Sequence, residues 1–156
     1  MLALDNVSFN LRKGEVHALL GENGAGKSTL MKVLSGVHVP EEGEILYESL
    51  PVKLTSPISA QTIGIAIIHQ EFNLFPELSV AENIFIGRER TAKHKWLLDD
   101  NSQSEATQAL LDKLNLDIKP ETLVEELTVA QQQMVEIAKA LSVNAKVLIM
   151  DEPLRR

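Results

Sequence analysis

The chain contains no cysteine. Disulfides and thiolate metal sites are therefore excluded, and a reducing compartment is compatible with the composition. Basic residues are in the minority, 15 Lys and Arg against 22 Asp and Glu, for a formal net charge of −7. Nucleic-acid partners select Lys- and Arg-rich surfaces, so this balance argues against one. Long apolar runs are missing too. The longest is about six residues, where a bilayer span needs roughly 20. The N-terminal MLALDNVSFN has neither the basic start nor the long apolar segment of a secretory signal. No internal repeat or low-complexity tract occurs. What is present, 156 residues at 44% hydrophobic, suits one domain with a core to bury.

Alternation at Val7, Phe9 and Leu11 predicts a strand, "RKG" a turn, and EVHALL over 15–20 a second strand with Val16, Ala18 and Leu20 on one face. A Gly-rich loop covers 21–27. Leu30, Val33, Leu34 and Val37 then recur at helical spacing, with Gly36 as the stop. "EILY" (44–47) reads as a short strand, 55–62 as a short helix with Pro57 near its start, and 63–69 as a strand buried on both faces. Three capping boxes predict helix starts: Ser79 with Glu82, Ser102 with Glu105, and Thr128 with Gln131. Ala106, Leu110 and Leu114 form the stripe of the second helix; Met134, Ile137, Ala138 and Leu141 face inward on the third. Residues 88–101 read as irregular, and 146–150 as the last strand. Strands and helices alternate, with helices concentrated between 78 and 142. This predicts an α/β core carrying a helical insertion.

Two stretches carry chemistry. In LLGENGAGKSTL, Gly21-x-x-x-x-Gly26-Lys27-Ser28 stands between a predicted strand and a predicted helix, the context of a phosphate-binding loop. Glycines let backbone N–H groups wrap phosphate oxygens. Lys27 supplies positive charge, Ser28 a hydroxyl for Mg²⁺, and the helix N-terminus a favourable field. An ordinary Gly-rich turn is the simpler alternative. In VLIMDE, an apolar strand delivers Asp151 and Glu152 to its C-terminal edge, where ligands bind in open α/β sheets. There Asp151 suits a Mg²⁺ ligand and Glu152 a group that polarises an attacking water. Solvated acids after a strand are the simpler alternative.

GENGAGKST, HQEFNLFPELSVAENI, LTVAQQQMVEIAKAL and VLIMDEP, in this order between Leu4 and Pro153, resemble the ATP-binding subunits of ABC transporters. "HQE", "AENIFIGRE" and "QQQMVEIAKALS" resemble one branch, the ATPases that power bacterial uptake of monosaccharides such as ribose, galactose or xylose. The resemblance implies a P-loop NTPase (RecA-like) core over about 1–77 and 143–153, with an ABC helical subdomain over about 78–142. It implies ATP held by Gly21, Asn23, Gly24, Ala25, Gly26, Lys27, Ser28 and Thr29, and Mg²⁺ held by Ser28, Gln70 and Asp151. Glu152, Lys27 and Gln70 would serve hydrolysis, Gln70 as the residue sensing Mg²⁺ and the γ-phosphate. Thr128, Ala130 and Gln131 lie in the signature stretch, whose helix start points at the ATP of the opposite subunit. Val129 and Ala130 stand where the family usually has glycine.

The implied partners are a second nucleotide-binding domain (in the same chain of the parent protein), membrane permease subunits and, indirectly, a sugar-binding protein. The implied place is cytoplasmic, peripheral on the inner face of the membrane. The stretch 73–80 matches the permease-facing groove, with Phe72, Leu74 and Phe75 as apolar contacts or helical core. The basic 87–96, with Trp96, suits a lipid or permease contact or a solvated connector. His17, His38, His69 and His94 all precede Asp151, so none matches the family's switch histidine. The adenine-stacking aromatic and the segment after "DEP" have no counterpart, Phe9 reading as core and Leu154–Arg156 differing from that continuation. The expectation is a chain cut at both ends with an incomplete central sheet: the ATPase motor of a sugar importer, or a non-catalytic remnant that at most binds nucleotide. No guanine-recognition motif and no sustained heptad supports another P-loop class.

Overall fold

The computed structural model describes residues 3–22, 24–68, 73–88 and 100–150. The chain divides into two compact units, residues 1–65 and 66–156.

In the first unit, α1 (Lys27–Leu34) is followed by a hairpin of β1 (Ile45–Tyr47) and β2 (Leu50–Val52), then by α2 (Pro57–Thr62). α1 ends as the sequence predicts. Gly36 N–H donates to Val33 O and Val37 N–H to Lys32 O, the paired bonds of a glycine-terminated helix. Gly36 has φ 74°, and a Cβ there would lie 2.4 Å from the Ser56 carbonyl oxygen, so only glycine fits. Val37 therefore falls outside the helix and is exposed. The hairpin pairs Tyr47 with Leu50. Glu48 and Ser49 between them have φ 50° and 66°, the left-handed pair that a tight two-residue turn requires. β2 has no signal in the sequence, since three residues with Pro51 at their centre show no alternation. α2 begins at a capping box of Ser56 and Ser59, with Pro57 in the first turn.

The predicted strands at 7–11 and 15–20 do not form. Val16 is 99% and Leu20 90% exposed, and no strand among the described residues pairs with either stretch. Alternation marks which side chains would share a face; a strand exists only where a neighbour completes its ladder. Phe9 is half-buried, its ring edge-on to His17 at 5.2 Å.

The second unit takes up β3 (Ile65–Ile68), which pairs with β4 (Val147–Met150). Ala66, Ile68 and Ala140 are buried together, with Ile137 and Leu148 against them. The larger core lies among α3 (Val80–Phe85), α4 (Asp100–Lys113) and α5 (Val129–Leu141), with a 3₁₀ turn at Val124–Glu126. Val80, Ile84, Leu111, Val124, Val135 and Ala138 are its fully buried members. Two predicted capping boxes open their helices, Ser79 with Glu82 on α3 and Thr128 with Gln131 on α5. The box at Ser102 and Glu105 does not: both lie inside α4, which already runs from Asp100. A two-residue signature cannot tell a first turn from an interior one when the residues before it are also helical. The most buried line of α4 is accordingly Gln103, Thr107 and Leu111, with Ala106, Leu110 and Leu114 flanking it. On α5, Val135, Ala138 and Ala140 are buried, while Met134, Ile137 and Leu141 are half-buried.

Candidate functional site

The phosphate loop is shaped by its own lysine. Lys27 Nζ donates to the carbonyls of Gly21 at 2.7 Å and Glu22 at 2.8 Å. The ammonium group is thus drawn back over the loop that precedes its helix. Ala25 N–H donates to Glu22 O at 3.2 Å, closing the turn. Gly26 is the residue before α1 and has φ 84°. A Cβ there would approach the Ala3 carbonyl oxygen to 2.7 Å and Leu4 Cδ2 to 3.0 Å. Conformation and contact both demand glycine at this point.

Among the described residues no side chain caps α1, in contrast to the boxes on α2, α3 and α5. The positive end of the helix dipole has no side-chain acceptor among the described residues, the condition that favours an anion. Gly21, Gly24, Ala25 and Ser28 are exposed, while Gly26, Lys27 and Thr29 are half-buried. The two carbonyl acceptors of Lys27 are neutral. A phosphate oxygen accepting the same proton forms a stronger, charge-assisted bond, so this ammonium can exchange partners when an anion arrives.

The signature stretch is locally complete. Thr128 Oγ1 accepts from Gln131 N–H at 3.3 Å, and Gln131 Oε1 accepts from Thr128 N–H at 2.9 Å. The Thr128 hydroxyl also lies 2.9 Å from Gln131 Oε1. Gln132 Nε2 reaches the carbonyls of Val124 and Leu127, each at 3.2 Å, and secures the turn leading into α5. Thr128, Val129 and Ala130 are exposed and Gln131 is half-buried. Thr128 therefore caps α5, as its spacing with Gln131 predicts, and leaves an open helix start beside it.

Asn23, Gln70, Asp151 and Glu152 lie outside the described residues, as do His69, Phe72, His94, Trp96 and Leu154–Arg156. Among the described residues, no group of three or more His, Cys, Asp or Glu side chains forms a metal cluster. Leu74 packs against the core of the three helices, whereas Phe75 is half-exposed. The two apolar residues of one loop thus divide between core and surface.

Sequence reasoning missed Asn83, Glu136 and Lys139. Asn83 is fully buried and bonds the main chain of Phe75, Leu78 and Ser79. Glu136 and Lys139 bond the main chain of Asn73. The only sequence signal was a polar residue at position 83 within the apolar set Val80, Ala81, Ile84 and Phe85.

No helix among the described residues is long and apolar enough to cross a membrane. The chain is 58% identical over 151 residues to a protein of Agrobacterium fabrum whose name describes a ribose/galactose/methyl galactoside import ATP-binding protein. A similarly named protein of Albidiferax ferrireducens is 56% identical over the same length. In both cases 97% of this chain is covered but only 30% of the relative, so the chain spans about a third of the length of these relatives. Among solved structures, the ADP conformation of MJ1267, an ATP-binding cassette of an ABC transporter, matches with a TM-score of 0.83 at 32% identity, covering 97% of this chain and 63% of that one. The post-hydrolysis dimer of the cassette MJ0796, bound to ADP and phosphate, matches at 0.74 and 28%, with 97% and 66% covered. The fold is the α/β P-loop NTPase fold of such cassettes, here mixed helix and strand with small sheets. The ABC transporter family model matches residues 4–155, a span that includes the phosphate loop, the α5 cap and the last apolar strand, and the chain belongs to that family.

Proposed function

We propose that this chain is the first nucleotide-binding part of an ATPase subunit that energises monosaccharide import through a membrane permease. The observation that carries the reading is the start of α1, uncapped among the described residues, beneath a lysine bonded to the neutral carbonyls of Gly21 and Glu22. An arrangement of an exposed glycine-rich loop, an ammonium on neutral acceptors and a helix dipole suits a polyphosphate. The names of the relatives supply the sugar.

On this reading Gly21, Asn23, Gly24, Ala25, Gly26, Lys27, Ser28 and Thr29 hold the phosphates of ATP. Mg²⁺ takes oxygen ligands; Ser28, with an exposed hydroxyl in the first turn, would hold it together with Gln70 and Asp151. The metal neutralises phosphate charge when bound. Lys27 balances the outer phosphates, Gln70 reports their presence, and Glu152 polarises the attacking water. Thr128, Ala130 and Gln131 meet the nucleotide of a second nucleotide-binding domain. For the Thr128 hydroxyl to reach a phosphate oxygen, it must turn its proton away from Gln131 Oε1. Residues 78–142 form the helical subdomain, and the stretch 73–80 with Phe75 faces the permease at the inner membrane surface.

A titration with a fluorescent ATP analogue and Mg²⁺ tests the reading. Lys27→Ala should weaken binding at least tenfold, the equivalent of one charge-assisted contact at about 1.4 kcal/mol. Equal affinity in the two proteins would refute it. A steady-state phosphate-release assay separates a working motor from a chain that binds nucleotide without turnover.

A further inference from the structure

Asn73 is held by its main chain from two sides. Its N–H donates to Glu136 Oε1 at 2.8 Å, and its carbonyl accepts from Lys139 Nζ at 3.0 Å. The two side chains are three residues apart on α5, so one face of one helix presents an acceptor and a donor to the two peptide groups flanking the same residue. Both bonds are charge-assisted and join residues 63 and 66 positions apart. Lys139 is half-buried, and burial holds its ammonium below the usual lysine range, with Glu136 opposing that shift and Arg88 adding to it. Exposed lysines seldom keep one geometry; a partly desolvated one with a carbonyl acceptor does. Two residues further on, buried Asn83 of α3 takes both the N–H and the carbonyl of Phe75. The backbone from 73 to 75 is therefore gripped by side chains of two helices.

The geometry points to Glu136 and Lys139 as a positioning pair that fastens residues 73–75 to α5, so that this stretch and the Thr128 end of the helix move as one piece. Glu136 lies eight residues along α5 from its cap, about 12 Å, within a continuous helix that can transmit displacement. The consequence, though not the attachment, rests on the proposed function. With nucleotide at Thr128 and a membrane partner at Phe75, the pair carries movement from one to the other. Neither residue touches a reacting atom in this role.

The chain has no cysteine, so two introduced thiols label uniquely. Asn73 and Val129 are both exposed, and the bonds at 73 use main-chain atoms that Asn73→Cys retains. Spin labels on Asn73→Cys and Val129→Cys, measured without nucleotide, should give one narrow distance distribution. In the Glu136→Ala, Lys139→Ala background it should broaden at least about twofold, and Glu136→Gln, which keeps an acceptor, should stay near the parent width. An unchanged width in the double variant overturns the proposal. Should that variant not fold, hydrogen exchange of the Asn73 amide decides: about tenfold faster in Glu136→Ala than in Glu136→Gln supports the pair, and equal rates refute it. A purely stabilising role would lower the melting temperature equally without widening the distribution. Because the measurement contains no ATP, failure of nucleotide binding leaves its result standing, and a broad parent distribution sinks the attachment alone.

Discussion

Asn83 and Phe75 share two hydrogen bonds across eight positions of sequence: Asn83 Oδ1 accepts from Phe75 N–H at 2.7 Å, and Asn83 Nδ2 donates to Phe75 O at 3.0 Å. The same Nδ2 reaches Leu78 O at 3.2 Å and Ser79 O at 3.0 Å. The side chain is fully buried, and the three carbonyls also accept from the main-chain N–H groups of Leu78, Val124 and Asn83. One main-chain donor and three carbonyls around one amide also fix which atom is oxygen and which nitrogen.

Asn83→Ala should therefore destabilise the protein by roughly 2–4 kcal/mol, several net hydrogen bonds plus the cavity left by a fully buried side chain. A urea titration would record this as a lower midpoint at unchanged slope. Asn83→Asp should be at least as harmful, because a carboxylate would face three carbonyl oxygens. A loss below about 0.5 kcal/mol in the alanine variant, the size of an ordinary surface change, would contradict the assignment.

Gly26 and Gly24 both have φ 84°, but only Gly26 has an obstacle within 4 Å. Alanine at Gly24 carries the left-handed backbone penalty of about 1–2 kcal/mol. At Gly26 it adds the collision with Ala3 O. Thermal unfolding should rank Gly26→Ala clearly below Gly24→Ala, and nucleotide titration should show the same order. Equal effects would mean that the close approach to Ala3 is relieved at no cost.

Loss of the α5 cap is measured by Thr128→Ala, with an expected cost of about 1 kcal/mol. Thr128→Ser keeps an oxygen at the same place and should retain most of it. Gln131→Ala removes the other half of the box, so a double-mutant cycle between the two positions should give a coupling of roughly 0.5 kcal/mol or more. Additive losses would show that the two halves act independently.

At the start of α3, the Ser79 hydroxyl and then the Ser79 N–H hold the Glu82 carboxyl below its ordinary value of 4.5. A carboxyl lowered by folding contributes stability that is present above the ordinary value and is lost as pH falls through the lower, folded one. Acidification from pH 4.5 downward should thus loosen the α3 cap. Comparing urea midpoints of the parent and Glu82→Gln across that range tests it: the difference in favour of the parent should shrink toward zero at the acid end. A difference that grows on acidification would have the wrong sign.

Legibility followed the range of the interaction. The cap at Thr128, the cap at Ser79 and the stop at Gly36 were readable because each is made by residues three to five apart. The phosphate loop was readable because its glycines and Lys27 must be adjacent to do their chemistry. Ser102 and Glu105 carried the same spelling as a cap and turned out to lie inside α4, two residues or more past its start at Asp100, since their meaning depends on whether the chain before them is already wound. Leu74 and Phe75 were indistinguishable in sequence; the packing of Leu74 against the helical core separates them.

By itself the sequence determined the caps of α3 and α5, the phosphate-loop turn and the family, because these depend on contacts between near neighbours and on short ordered motifs. Tertiary structure alone decided that Val16 and Leu20 lie in no strand, that Asn83 shapes a loop eight residues away, and that Glu136 and Lys139 hold Asn73. The physical reason is that strand pairing, burial and long-range hydrogen bonds are properties of what folding brings alongside a residue, which its own neighbours in the chain do not encode.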